Sequence, residues 1–256
     1  MVRIEQNKAG YTKYFKDYPV FRLYLNYGFN HEEYTVFVDR VDEPLTLIVQ
    51  IPPAFVLAGD PAKIDEGTLK KVIPSGSWII SPGKNWDDLL RRTYGNGLQT
   101  YPRMLFDESG LKVSDLLACQ KPLPPELKIV KVESEHLREG MLKTQIIDKF
   151  FRDTDFLVSG FGLVLTDTRE VVHGFAVTNY PIANHDEIDV TYRVGYDDFT
   201  KYRNQGIGTT LVSRFLVEAI QKGYRPLWDA ANAVSCHIAK KLGYREKLGW
   251  NMHRVT

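Results

Sequence analysis

The chain is poor in the features that most often betray a function. It has two cysteines in 256 residues, Cys119 and Cys236. They are too few and too far apart for a disulfide framework, and read as reduced structural thiols. An excess of one charge is also missing. Lys and Arg number 33 against 32 Asp and Glu, a net charge of +1. That leaves no electrostatic case for nucleic acid or a membrane surface as partner. No apolar run approaches the roughly 20 residues that cross a bilayer. The stretch MVRIEQNKAGYTKYF lacks the apolar core of a signal peptide, so a cytoplasmic chain is expected. The six histidines show no metal-ligand spacing, and no metal is expected. Cys236 and His237 are adjacent on one predicted helix and point about 100° apart, so they form no nucleophile pair by themselves. A Gly-x-Ser-x-Gly elbow is absent.

What is present is ordinary in bulk: 43% hydrophobic and 25% charged residues, a globular composition at a length that suits one large domain or two small ones. YTVFVDRV and LTLIVQI flank a turn-like DEP and predict a hairpin. SGSWIISP reads as a strand, and NWDDLLRRTYG as a helix closed by Gly95. CQKPLPPE, with three prolines, is the best linker candidate. The expected division is an accessory domain over 1–120, a linker over 121–126 and a second domain over 127–256. In the second, ELKIVKV predicts a strand and SEHLREGMLKTQIIDKFF a helix with Ser134 as N-cap. FLVSGFGLVLTD, EVVHGFAVTNY and EIDVTYRVGY follow as three antiparallel strands. A helix carrying Leu211, Phe215, Ala219 and Ile220 on one face comes next, then the strand PLWDA and the helix AVSCHIAKKLG. The class is therefore α+β with a mixed sheet. A decayed duplication, with the first half a degenerate copy of the second, stays open.

Arg203-Asn204-Gln205-Gly206-Ile207-Gly208 stands at the mouth of the amphipathic helix, followed by Thr209 and Thr210. A helix N-terminus binds anions, and glycines there let phosphate oxygens approach the main chain. A P-loop would need a lysine after the last glycine, and none is present. A dinucleotide turn would need a third glycine where Leu211 stands and an apolar strand in place of DDFTKYRNQ. A tight helix entry with no ligand is the plain alternative.

Residues 127–256 resemble the GNAT superfamily of N-acetyltransferases. The likeness rests on Arg203, Gly206 and Gly208 in the loop, and on the order PLWDAAN, SCHIAKK, LGY after it. YRPLWDAANAVSCHIAKKLGY and FVDRVDEPLTLIVQIPPAFVLAGDP are similar to stretches of the zwittermicin A resistance protein family. The resemblance implies an acetyl-CoA-dependent N-acetyltransferase acting on a primary amine of a small molecule, an antibiotic by the narrower likeness, as a monomer or homodimer. It implies that coenzyme A contacts Arg203, Asn204, Gln205, Gly206, Ile207, Gly208 and Thr209. Tyr192, Arg193 and Val194 would lie along its pantetheine arm, with Asn232 and Ser235 beside it. Glu187 and Asp189 alternate on one strand face and become first and second candidates for the general base. The alternative is two plain strand acids. Asn184, His185 and Asp186 fall in the loop before them. Trp228 reads as core rather than a stacking platform.

Two departures stand out. The tyrosine that many GNAT enzymes carry seven residues after the asparagine is Ala239 here, and the connection GYDDFTKY is longer than usual. A non-catalytic acetyl-CoA or coenzyme A binding module, or a peptide or protein N-acetyltransferase, therefore stays open as a rival.

Overall fold

The computed structural model describes residues 1–5, 8–15, 25, 34–52, 54–151, 155–182, 186–195, 202 and 204–256. They fall into two compact units, Met1–Leu105 with Leu248–Thr256, and Phe106–Lys247. CQKPLPPE lies inside the second unit.

In the first unit the strands β1 (Val2–Ile4), β2 (Thr35–Val38), β3 (Thr46–Ile51) and β4 (Ala54–Gly59) are antiparallel neighbours in that order. The predicted hairpin is β2–β3. Helix α1 (Glu66–Val72) then carries the chain to β5 (Trp78–Ile80), which pairs parallel with β4. Helix α2 (Lys84–Tyr94) and β6 (Leu98–Asp107) follow. Alternation along the strands builds two cores. Leu47, Val49 and Val56 join one, with Phe15 and Leu25. Ile48, Phe55 and Leu57 join the other, where Leu69 and Ile73 close α1 and Trp86, Leu89 and Leu90 close α2.

The second unit repeats that order. Helix α3 (Val113–Ala118) precedes β7 (Leu127–Lys131), β8 (Gly162–Asp167), β9 (Val172–Thr178) and β10 (Glu187–Val194), again antiparallel neighbours in sequence. Helix α4 (Ile207–Gln221) leads to β11 (Arg225–Ala230), parallel with β10, and α5 (Ala233–Lys241) comes after it. All six residues of β8 are buried, as expected of a strand covered on both faces. The expected long helix after β7 is interrupted. A 3₁₀ turn over Ser134–Leu137 ends before Glu139, which is extended, and helix resumes at Gly140 with a wide turn over Lys143–Ile147. The N-cap of the 3₁₀ turn is Glu133, whose backbone N–H donates to His136 Nδ1, rather than Ser134.

The last strand, β12 (Arg245–Val255), ends in the first unit. Met252, His253 and Arg254 pair antiparallel with Ile80, Ile79 and Trp78 of β5. His253 is fully buried. Its Nε2 lies 2.9 Å from Asp87 Oδ1 and its Nδ1 3.0 Å from Thr100 Oγ1. Asp87 also accepts from Ser81 Oγ and from Asn251 Nδ2, at 2.5 and 2.7 Å. Burial works to raise the Asp87 carboxyl, but the bonds from His253, Ser81 and Asn251 outweigh it and hold it at about 2. A carboxyl depressed on folding stabilises the fold above its ordinary value, and that share is lost as pH falls through the folded value. The depression from 3.8 to about 2 corresponds to about 2 kcal/mol. Asp87→Asn should therefore lie well below the native chain in stability at pH 6. The gap should shrink by about 2 kcal/mol by pH 2, read by urea denaturation. A gap that does not change with pH contradicts this account.

Candidate active site

The site is built where two parallel strands part. β10 pairs with β11 only from Glu187 to Asp189, opposite Arg225 to Leu227. From Val190 to Val194 it pairs with β9 alone. Beyond Leu227, β11 runs on to Ala230 without β10. Facing backbone edges therefore diverge over the stretch that holds Tyr192, Arg193 and Val194.

Aromatic rings sit where the strands separate. The Tyr192 ring lies 5.2 Å from that of Trp228, and Trp228 lies 5.3 Å from Tyr244. Trp228 is buried, and its indole N–H donates to Ser235 Oγ at 3.1 Å, the usual way a buried indole keeps its donor satisfied. Tyr244 is also buried and donates to the carbonyl of Pro226 at 2.9 Å. Burial pushes its phenol well above the ordinary value. Tyr192 is half-buried, and burial raises its phenol too, while a hydrogen bond with Ser235 works the other way.

At the same end of β10, α4 begins with an uncapped N-terminus. Its N-cap is Gly206, left-handed at φ 82°, with no side-chain cap. The first N–H groups of the helix therefore have no side-chain acceptor from the cap position. A Cβ on Gly206 would stand 3.0 Å from Cδ of Lys121, and one on Gly208 3.6 Å from Val194. Asn204 and Gln205 are exposed, while Ile207 and Thr209 are buried under the turn. Lys121 comes from the proline-rich stretch. Its backbone N–H donates to Thr210 Oγ1 at 2.9 Å, which fixes its stem against the glycine.

The neighbouring helix handles its N-terminus differently. Asn232 caps α5, its Oδ1 accepting from Ser235 N at 2.9 Å. Ala239, at the position of the absent tyrosine, is fully buried.

The candidate acids lie at the paired end of β10. Glu187 is 4% exposed, and Arg225 reaches it at 3.2 Å. The same guanidinium binds Glu108 at 2.5 Å and lies 3.9 Å from Asp186. Arg225 is raised, chiefly by its bond to Glu108. Glu108, Asp186 and Glu187 thus all lie within 3.9 Å of one guanidinium. Asp189 is half-buried on the same strand face as Glu187, at the last paired position before the strands part.

The fold thus brings together Glu187, Asp189, Tyr192, Arg193 and Val194 along β10, Asn204 to Thr209 at the start of α4, and Asn232 and Ser235 at the start of α5. Arg203, Asn184, His185 and residues 196–201 lie outside the described residues. Among the described residues no group of His, Cys, Asp or Glu is placed to hold a metal. No helix among them is long and apolar enough to cross a membrane. Lys121, Glu108 and Arg225 escaped the sequence reading. Lys121 sits in what reads as a linker, and only the folded register of β10 and β11 sets Arg225 opposite Glu187.

The cap role of Asn232 is directly testable. Asn232→Ala should cost about 1 kcal/mol of stability, and Asn232→Asp close to nothing, in thermal or urea denaturation. Equal stability of the native chain and Asn232→Ala contradicts the cap.

A family model described as GNAT acetyltransferase matches residues 20–252. No curated protein matches the chain. Among solved structures, a GCN5-related N-acetyltransferase-like protein from Streptococcus suis is similar at 18% identity and a TM-score of 0.76, covering 96% of each chain. The GCN5-related glucosamine N-acetyltransferase region of a fungal multi-domain β-N-acetylglucosaminidase is similar at 12% identity and a TM-score of 0.60, over 98% of this chain and 37% of that one. A tandem GNAT protein from the clavulanic acid biosynthesis pathway is similar at 10% identity and a TM-score of 0.52, over 86% and 82%. At these identities the likeness is one of fold.

Proposed function

The chain belongs to the GNAT acetyltransferase family, and on that premise we propose that it transfers an acetyl group from acetyl-CoA to a primary amine of a small molecule, with the reacting groups held between β10, α4 and β11. The observation that carries the reading is the pairing of an uncapped glycine N-terminus on α4 with the parting of β10 from β11 beside it. Acetyl-CoA supplies the electrophile, a thioester carbonyl carbon.

The chain's own residues supply the rest. The N–H groups that follow Gly206 and the Lys121 ammonium fit a pyrophosphate, by dipole and by charge. The divergent edge of Tyr192 to Val194 offers backbone donors and acceptors to an arm that carries amides. Acidic residues gathered at the paired end of β10 suit an acceptor that arrives as an ammonium. Only a neutral amine attacks a carbonyl carbon, so the ammonium proton has to leave first, and a carboxylate on β10, directly or through water, is the candidate to take it. Asp189, at the last paired position before the strands part, is the first candidate, and Glu187, held by Arg225, the second. Tyr192, backed by Ser235 and Trp228, is the phenol at the parting strands and the candidate to stabilise the leaving thiolate where position 239 carries only an alanine.

A panel of small amines, including aminated antibiotics because of the narrower sequence likeness, tests the reading with mass detection of the acetylated product and free-thiol release. Turnover with at least one amine is expected. Tight acetyl-CoA binding with no acetylated product across the panel would favour a binding module instead. With an acceptor in hand, Asp189→Asn should lower the rate about 10²- to 10⁴-fold without changing coenzyme A affinity. Lys121→Ala should weaken coenzyme A about tenfold and leave the rate at saturation alone. Full activity of Asp189→Asn and Glu187→Gln across the pH range removes both acids from the mechanism.

A further inference from the structure

The first unit contains the same machinery in outline. β1 to β4 repeat the antiparallel order of β7 to β10. β4 and β5 are parallel across α1, as β10 and β11 are across α4. A helix follows each closing strand, α2 after β5 and α5 after β11. The parallel ladder is as short: β4 pairs with β5 over Ala54 to Val56, where β5 ends at Ile80, and β4 runs on to Gly59.

At both places where the second unit is open, the first is filled by its own side chains. The N-cap of α1 is Asp65, where α4 has Gly206. Its carboxylate accepts from Thr68 N at 2.9 Å and from Thr68 Oγ1 at 2.6 Å. The seat of an anion is thus taken by an anion of the chain, and hydrogen bonds from Thr68 hold that carboxyl below its ordinary value. At the end of β4 beyond β5, Trp86 is 2% exposed, and its indole N–H donates to the carbonyl of Gly59 at 2.9 Å. Position 59 tolerates only glycine: φ is +81°, and a Cβ would fall 2.0 Å from the carbonyl oxygen of Leu45. That leaves the Gly59 carbonyl aimed at the indole. The next residue, Asp87, anchors α2 to His253 and Asn251 of the returning strand, so the indole is locked from behind. A cleft of about 320 Å³ remains, lined by Gly59, Pro61, Pro82, Gly83, Lys84 and Trp86.

We propose that the first unit is a second copy of the cofactor-binding unit whose two subsites the chain has closed itself, Asp65 at the helix N-terminus and Trp86 against the end of β4 beyond β5, so that each chain takes up one coenzyme A and no more. This rests on the reading of β10, α4 and β11 as the coenzyme A site. The closed unit is then a scaffold, not a second catalytic centre.

Hydrogen–deuterium exchange of the full chain with saturating coenzyme A tests it, beside a calorimetric stoichiometry. Slowed exchange is expected in 187–195, 204–213 and 225–236, with one equivalent bound per chain. Slowed exchange in 54–60 and 78–90, or two equivalents, overturns the proposal while leaving the site in the second unit standing. No binding at all overturns both the reading of the second unit and the count of one coenzyme A per chain. A second arm uses pantetheine, which lacks the phosphates. The native chain should take one equivalent and a folded Trp86→Ala chain two. One equivalent in both overturns Trp86 as the group that fills the slot. The exchange arm decides the matter even where Trp86→Ala does not fold.

Discussion

The site depends on a ladder that stops after three residues. Parallel pairing of β10 with β11 holds Glu187 to Asp189 beside Arg225 to Leu227, and then gives out. Backbone N–H and C=O groups need partners, and two strands that diverge must find them elsewhere. β9 supplies them on one side of β10. On the other side the Tyr192 ring lies 5.2 Å from that of Trp228, a cross-strand aromatic contact that stands on the face of the sheet. Trp228 is tied to Ser235, Ser235 to the cap residue Asn232, and Asn232 to the start of α5. The polar residues that follow β11 thus fix the indole beside the place where the ladder ends.

Much of this frame was legible in the sequence. The three strands before the glycine turn, the amphipathic helix and the order strand, asparagine, helix, LGY need only local pattern and helix punctuation. Gly206 was legible as a backbone position because a left-handed N-cap asks for glycine. Lys121 was not. Its three neighbouring prolines argue for a spacer, and nothing local says that its stem lies against Gly206. Arg225 reads as a charged residue between a helix and a strand, and its neutralising role exists only through the register that sets it opposite Glu187. The break before Gly140 was marked only by that glycine. The run keeps helical periodicity through it, but Gly140 is left-handed at φ 79°, a conformation that favours glycine, and Glu139 before it is extended.

The two units also show how one arrangement diverges through a few side chains. Alternation sorts the residues of β3 and β4 into two cores, and the same rule sorts β10 into an acidic face and an aromatic face. What differs is what the caps and the first helical turns carry. An aspartate stands at the α1 cap where α4 has glycine, and it satisfies that helix end. A tryptophan in the first turn of α2 replaces the smaller Ser235 near the start of α5. The C-terminal strand completes the difference, since His253 brings a buried imidazole to Asp87.

The loss of a phenol at position 239 bears on how a thiolate could leave. Ala239 has no exposed surface, so the helix packs where a ring would have to stand. Tyr244 is committed to the Pro226 carbonyl and wholly buried. Tyr192 remains, with a phenol raised by burial and so fully protonated near neutral pH. A thiol ionises near 8.5 and a phenol near 10, so complete transfer from Tyr192 to a thiolate runs uphill, more so with its phenol raised. A hydrogen bond from that phenol to developing negative charge on sulfur suffers no such penalty, and it strengthens as the charge grows. On the proposed function, the half-buried Tyr192 hydroxyl, bonded to Ser235, would suit charge stabilisation at the leaving sulfur better than proton delivery to it, and the proton itself would be more easily drawn from solvent after the bond has broken.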